Sequence, residues 1–206
     1  MSFIICNEPL FIKPLYNPDE ILFSHYIKKI NRTISIRSCN LTTDVDLVYE
    51  WVNLEYALRF WQLDGDRSRV YNIYYNIQRN SHAHSFIGVL DYDPICQIDI
   101  YRVLYDEIHQ YILADKNTCG FHLLMAPNEK PIHGLTTAII QTLLQYYFSF
   151  PEAAIMYGEP DINNLRSNKL LQKIGFRFIQ AISMSYKTAN LYSITKQQFH
   201  EKNKIA

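Results

Sequence analysis

At 206 residues, 48% hydrophobic and 19% charged, the chain has the length and composition of one globular domain with a full core. Twenty basic residues balance twenty acidic ones, so it lacks the positive footprint that a phosphate backbone requires, and no nucleic-acid partner is expected. No apolar run approaches the roughly 18–20 residues that span a bilayer, and the opening MSFIICNEPLF has no positive leader.

Residues 1–32 read as an N-terminal extension packed on a domain of residues 33–206, and an amphipathic helix is predicted over 19–30 behind Pro18. Thr33-Ile34-Ser35-Ile36-Arg37 alternates polar and apolar residues, a strand. Thr42, Thr43 and Asp44 offer caps for a helix whose face carries Val45, Leu47, Val48, Trp51 and Val52. A further helical turn with Phe60 and Trp61 breaks at Gly65-Asp66. Val70, Ile73, Tyr74 and Ile77 then recur at helical spacing up to Asn80. Two strands, 86–90 and 95–103, flank the turn Asp91-Tyr92-Asp93-Pro94 and predict an antiparallel hairpin. Residues 104–115 suggest a short helix. Two more strands follow Phe176, and a charged tail ends the chain.

The stretch 119–176 organises the rest. An apolar strand, Gly120-Phe121-His122-Leu123-Leu124-Met125, leads to a loop with one glycine, Lys130-Pro131-Ile132-His133-Gly134. A helix and a second apolar strand follow, ending in Glu159-Pro160-Asp161. Asn163 and Asn164 then open a helix that stops at Gly175-Phe176. Strand, helix, strand is a right-handed crossover that lays its two strands parallel, with ligands expected at their carboxyl ends. On pattern alone, one histidine on an apolar strand is more often a core residue than a base, although an imidazole suits proton transfer at neutral pH. Asp161 fits a helix cap. Asp99 and Tyr101 are two apart and share a strand face. Trp51 and Trp61 read as core more readily than as ligand contacts. The cysteines Cys6, Cys39, Cys96 and Cys119 form no Cys-x-x-Cys pair, and the histidines show no metal-ligand spacing. The expectation is a reduced, cytoplasmic protein with no metal and no membrane partner.

This order of elements, with the glycine loop and the Gly-Phe corner, resembles the GNAT acyl-CoA N-acyltransferases. Val48-Tyr49-Glu50-Trp51-Val52-Asn53 followed by Phe60-Trp61, then Gly120-Phe121-His122-Leu123-Leu124, then Glu159-Pro160-Asp161 with Asn164, is similar to the siderophore-biosynthesis branch, from about Thr33 to Phe199. The resemblance implies an α/β fold in a single domain: a mixed sheet whose central parallel strands splay around an acyl-CoA cleft, with helices on both faces. It implies acylation of the hydroxylated nitrogen of hydroxylysine, hydroxyornithine or a diamine such as hydroxycadaverine. Acetyl-CoA or another acyl-CoA would be the co-substrate, the attack would be direct, and other siderophore-pathway enzymes would be partners. His122 becomes the general base, and Asp161 holds the hydroxylamine or orients His122. Leu123, Leu124, Met125 and Asn164 lie along the pantetheine, while Lys130, His133, Gly134, Leu135 and Thr136 receive the CoA pyrophosphate. Trp61, Asp99, Tyr101 and Glu159 line the amine site, with Asp99 placed for an ammonium group.

Two departures stand out. The family loop carries two small residues where this one has only Gly134, and Leu171 occupies the place of a tyrosine that protonates the departing thiolate. An aminoglycoside N-acetyltransferase and a non-catalytic acyl-CoA-binding module remain the rival readings.

Overall fold

The computed structural model describes residues 8–15, 17–18, 20–61, 63, 65–127 and 131–204. The expected helix over 19–30 is instead strand β1 (Ile21–Ile27). Its β-branched and aromatic residues suit a strand as well as a helix. Asn31, at φ 52°, turns the chain back, so β1 pairs antiparallel with β2 (Arg32–Ser38). Helix α1 (Asp44–Val52) buries Val45, Val48, Trp51 and Val52, the spacing of one helical face. Asp44 does not cap it through its side chain. Its carboxylate takes both Arg37 guanidinium nitrogens, at 2.6 and 2.8 Å, and the Asn40 N–H at 2.7 Å. A short α2 (Glu55–Leu58) precedes α3 (Arg67–Arg79), which Asp66 caps by accepting from the Arg69 N–H.

Strands β3 (Ala83–Leu90) and β4 (Asp93–Arg102) form the predicted hairpin, with Asp91 in the left-handed region at φ 56°. The expected short helix over 104–115 is a pair of 3-10 turns, Val103–Tyr105 and Glu107–Tyr111. After β5 (Thr118–Met125) come α4 (Leu135–Ser149), β6 (Ile155–Gly158), α5 (Leu165–Ile174), β7 (Arg177–Ser183) and β8 (Thr188–Thr195). The charged tail is a helix, α6 (Lys196–Lys204). Phe199 anchors it in the core, its ring 5.4 Å from that of Phe148.

The eight strands form one sheet in the order β1-β2-β3-β4-β5-β6-β8-β7, antiparallel everywhere except between β5 and β6. Alternation along the strands divides the core in two. Cys96, Ile98, Ile100, Cys119 and Phe121 pack with α4, while Ile87, Val89 and Leu124 pack with α1 and α3 on the other face. Residues near the start belong to this body: Leu10 and Ile12 are buried in the α4-side core, and Arg102 donates to the carbonyls of Glu8 and Pro9. Among the described residues, no helix is long and apolar enough to cross a membrane.

One feature of the sheet positions everything else. The β5–β6 ladder runs from Thr118↔Ile155 only as far as Gly120↔Tyr157, while β5 continues to Met125 and β6 stops at Gly158. Beyond Gly120 the two strands part. Among the described residues, the β6-facing backbone edge of Phe121–Met125 has no strand beside it. The Met125 carbonyl accepts the Tyr56 hydroxyl at 2.6 Å, and the other backbone polar groups left this way need another partner.

Candidate active site

The parting of β5 and β6 opens into a cleft of about 500 Å³. His122 stands on its wall, two residues past the last β5–β6 pair. Its Nε2 lies 2.8 Å from Oε1 of Glu159, which follows directly on β6 and is 3% exposed. The other carboxylate oxygen of Glu159 accepts the Tyr101 hydroxyl at 2.9 Å. Lys187, at the turn between β7 and β8, donates to the Glu159 carbonyl at 2.6 Å and sits 3.7 Å from Oε1. On the opposite side of His122, Asp99 of β4 is its register partner, held by the Gln97 side-chain amide at 2.6 Å. Trp61 meets the imidazole edge-on at 6.1 Å. The base candidate therefore stands between two buried carboxylates.

The electrostatics follow from that placement. Burial alone would lift the Glu159 carboxyl, but the imidazole, Lys187 and the Tyr101 hydroxyl hold it well below the ordinary carboxylate range. For His122, burial disfavours the charged ring, yet Glu159 and then Asp99 outweigh it and raise the imidazole above its usual value. Burial pushes Asp99 up to about 6, against the pull of His122, Ser85 and Gln97. An ionised Glu159 at Nε2 fixes the proton on that nitrogen and leaves Nδ1 as the basic one.

Glycine has a definite job at position 120. A Cβ there would lie 2.4 Å from the Tyr101 ring and hydroxyl, so only glycine lets Tyr101 cross β5 and reach Glu159.

Not every residue expected at the site lies on the cleft wall. Trp61, Asp99, His122, Leu123 and Met125 do, as do Thr136, Glu159, Asp161 and Asn164. Leu124 does not, because strand alternation sends its side chain into the core under α1 and α3. Tyr101 is off the wall too: its hydroxyl serves Glu159 instead of an open site. The carboxylate on the imidazole is that of Glu159, whereas Asp161 turns its own to the Asn163 N–H at 2.7 Å. Asp161 is not the helix cap either; Asn164 caps α5 by accepting from the Ser167 N–H at 3.1 Å.

Gly134 caps α4 at φ 84°, with nothing within 4 Å of where a Cβ would stand. Leu135 is buried and its N–H goes to the Ile132 carbonyl at 3.1 Å, so it offers neither side chain nor donor to an anion. His133 is exposed and off the cleft wall, and Lys130 lies outside the described residues. Leu171, in the place of the family tyrosine, is buried against the cleft and lies 3.0 Å from where a Gly158 Cβ would be. Tyr186 and Lys187 escaped the sequence reading, since nothing local marks a hairpin turn that folds back over Glu159. Among the described residues no group of three or more histidines, cysteines or carboxylates could hold a metal.

A family model described as an acetyltransferase (GNAT) domain matches residues 40–184. The chain belongs to the GNAT acetyltransferases. It is an acyltransferase, and its mixed sheet with one parallel pair is the GNAT fold. Among its relatives is N-hydroxyputrescine acetyltransferase of Acinetobacter baumannii, 23% identical over 81% of this chain and 80% of the relative. N(6)-hydroxylysine O-acetyltransferase of Escherichia coli is also 23% identical, over 88% of this chain and 58% of that longer protein. The solved aminoglycoside acetyltransferase AAC(6')-Ib in complex with coenzyme A superposes with a TM-score of 0.75. It is 22% identical, covering 82% of this chain and 99% of that one.

Proposed function

We propose that this GNAT domain transfers the acyl group of an acyl-CoA to the hydroxylated nitrogen of an amine, as a step in hydroxamate siderophore assembly. The observation that carries this reading is the His122–Glu159 pair standing where β6 leaves β5. The edge of Phe121–Leu124 that β6 leaves unpaired offers main-chain groups to the pantetheine amides and N–H donors to the thioester carbonyl. The amino-terminus of α4 behind Gly134 offers N–H groups to the pyrophosphate.

In the reaction the hydroxylamine nitrogen attacks the thioester carbon directly. Nδ1 of His122 takes the proton that the nitrogen loses, the C–S bond breaks, and the electron pair leaves on sulfur as CoA thiolate. With Leu171 in place of a tyrosine, that thiolate departs as such or receives the proton back from the imidazolium. Asp161, on the cleft wall, holds the acceptor. Cys119 is no nucleophile: it is fully buried, and burial pushes its thiol up to about 12. The acceptor requires an N-hydroxylating enzyme upstream, and the hydroxamate a ligating enzyme downstream.

The test is thiol release from acetyl-, succinyl- and medium-chain acyl-CoA with N-hydroxylysine, N-hydroxyornithine, N-hydroxycadaverine and kanamycin. Wild type should turn over a hydroxylamine, and His122→Ala should lose about 10²–10⁴-fold, the share of a general base. Turnover of kanamycin alone would assign the chain to aminoglycoside chemistry. Acyl-CoA binding with no turnover of any amine would leave a binding module.

A further inference from the structure

The turn between β7 and β8 is tied down on its outer side and reaches into the cleft on its inner side. The Met184 N–H donates to the Lys187 carbonyl at 2.8 Å and closes the turn. Outside, Glu107 of the second 3-10 turn clasps it. One carboxylate oxygen accepts the Ser185 N–H at 2.7 Å, and the other accepts the Ser185 hydroxyl at 2.8 Å. The Tyr111 hydroxyl donates to the Ser183 carbonyl, and the Gln180 amide donates to the Tyr111 carbonyl at 2.9 Å. Inside, Tyr186 and Lys187 stand on the cleft wall, with the Lys187 ammonium 5.3 Å from the centroid of the Tyr186 ring. Only 13% of the Lys187 side chain is exposed, and its ammonium is aimed at one residue. It donates to the Glu159 carbonyl at 2.6 Å and sits 3.7 Å from Oε1, the same oxygen that meets Nε2 of His122 at 2.8 Å.

Sharing that oxygen bears on the base. A general base must be free of its proton when the acceptor arrives. His122 faces the carboxylates of Glu159 after β6 and Asp99 on β4, with the Tyr101 ring beside it at 4.8 Å and Asp106, between the 3-10 turns, within electrostatic reach. Each of these acids, when ionised, favours the imidazolium. Among the described residues of the cleft wall Lys187 is the only lysine or arginine, and its charge opposes them. We propose that Lys187 is a positioning residue of the reaction: from a turn clasped by Glu107, its ammonium pins the end of β6 and shares Glu159 Oε1 with the imidazole, so that Glu159 orients His122 without holding its proton. The inference rests on the reading of His122 as the base. It adds a residue to that machinery from a hairpin, and a second, Glu107, that lies off the cleft wall.

The test separates charge from structure in the whole chain. Imidazole proton shifts followed against pH give the His122 midpoint directly, its signals identified by their loss in His122→Ala. The same pH series is run for kcat/KM with acetyl-CoA and N6-hydroxylysine or N-hydroxycadaverine, whichever wild type turns over. Lys187→Met keeps the stem and drops a cation that disfavours the imidazolium. The midpoint should therefore rise, and the rising limb of kcat/KM should follow it to higher pH. At neutral pH the loss should be about tenfold, the low end for a lost contact to a charged group, and it should close above the shifted limb. Lys187→Arg should restore both. Glu107→Ala should shift them the same way by less. Removing an anion acts by itself in the opposite direction, so a rise there marks the loosened turn. A midpoint unmoved in Lys187→Met, or a kcat/KM lowered equally at every pH, overturns the inference while leaving His122 as the base. A midpoint unmoved or lowered in Glu107→Ala alone overturns the clasp. A midpoint that moves without the limb, or no turnover of either hydroxylamine, sinks the reading of His122 as the base, and the part of Lys187 in the reaction with it.

Discussion

Strand β5 is two regions in one. From Thr118 to Gly120 it lies between β4 and β6 with both backbone edges paired. From Phe121 to Met125 it keeps β4 and loses β6. The paired part holds a fully buried cysteine, Cys119, and the unpaired part holds His122, only three residues on. The difference shows where this chain keeps its chemistry. Where the ladder closes, burial keeps a thiol protonated and unreactive. Where it opens, a buried carboxylate at the end of β6 reaches an imidazole that faces the cleft.

After the loss of His122 itself, the largest break to that contrast is Glu159→Gln. The amide keeps the shape but loses the charge that opposes Lys187 and pairs with the imidazole. A fall in kcat/KM of about tenfold to a hundredfold is expected, the range of a hydrogen bond to a charged group. The pH profile gives the sharper readout. Catalysis needs the neutral imidazole, so activity rises with pH through the His122 pKa, which Glu159 holds above its usual value of about 6.5. Without that charge the rising limb should move to lower pH. An unmoved limb would mean that another group is the base.

A smaller effect, on stability instead of charge, is expected from Gly120→Ala at the boundary between the two regions. The added methyl would meet the Tyr101 ring at 2.4 Å, so either the ring or the strand must shift. Overpacking of this kind costs about 1–3 kcal/mol, read as a lower Tm. Displacing Tyr101 also removes its hydroxyl from Glu159, so activity should fall further than the lost stability explains. An unchanged Tm would show that the ring moves aside freely.

The sequence made the organising unit legible because its period changes cleanly, from a short apolar strand to a long apolar helix and back to a strand. That Gly120 precedes a catalytic candidate could be read; that it exists to admit Tyr101 could not, since the ring comes from a different strand. The choice between Glu159 and Asp161 was hidden for a simpler reason. They are two apart and share parity on an extended backbone, so spacing gives both an equal claim on His122. Only the bend after Pro160, which turns the Asp161 carboxylate to its own Asn163 N–H, separates them. The region 21–27 reads as helix behind Pro18 when taken alone, and its pairing with β2 is what makes it a strand. Lys187 reaches Glu159 from a hairpin turn far along the chain, a contact that no local pattern encodes.

The smallest effect should come from Cys119→Ala, and its smallness is the point. Cys119 sits in the closed part of β5, fully buried and away from the cleft wall. With its thiol near 12, almost none is thiolate at neutral pH, and a covalent acyl-enzyme through this residue would need that thiolate. Removing the sulfur takes a small buried group from the core packed on α4, so Tm should drop modestly while kcat/KM stays where it was. Double-reciprocal plots at several fixed acyl-CoA concentrations should intersect in both forms, as a ternary complex requires, where an acyl-enzyme route would give the parallel lines of ping-pong kinetics. Parallel lines in the wild type that vanish with the cysteine would place the chemistry three residues earlier, on the paired side of the boundary, and would undo the contrast between the two halves of β5.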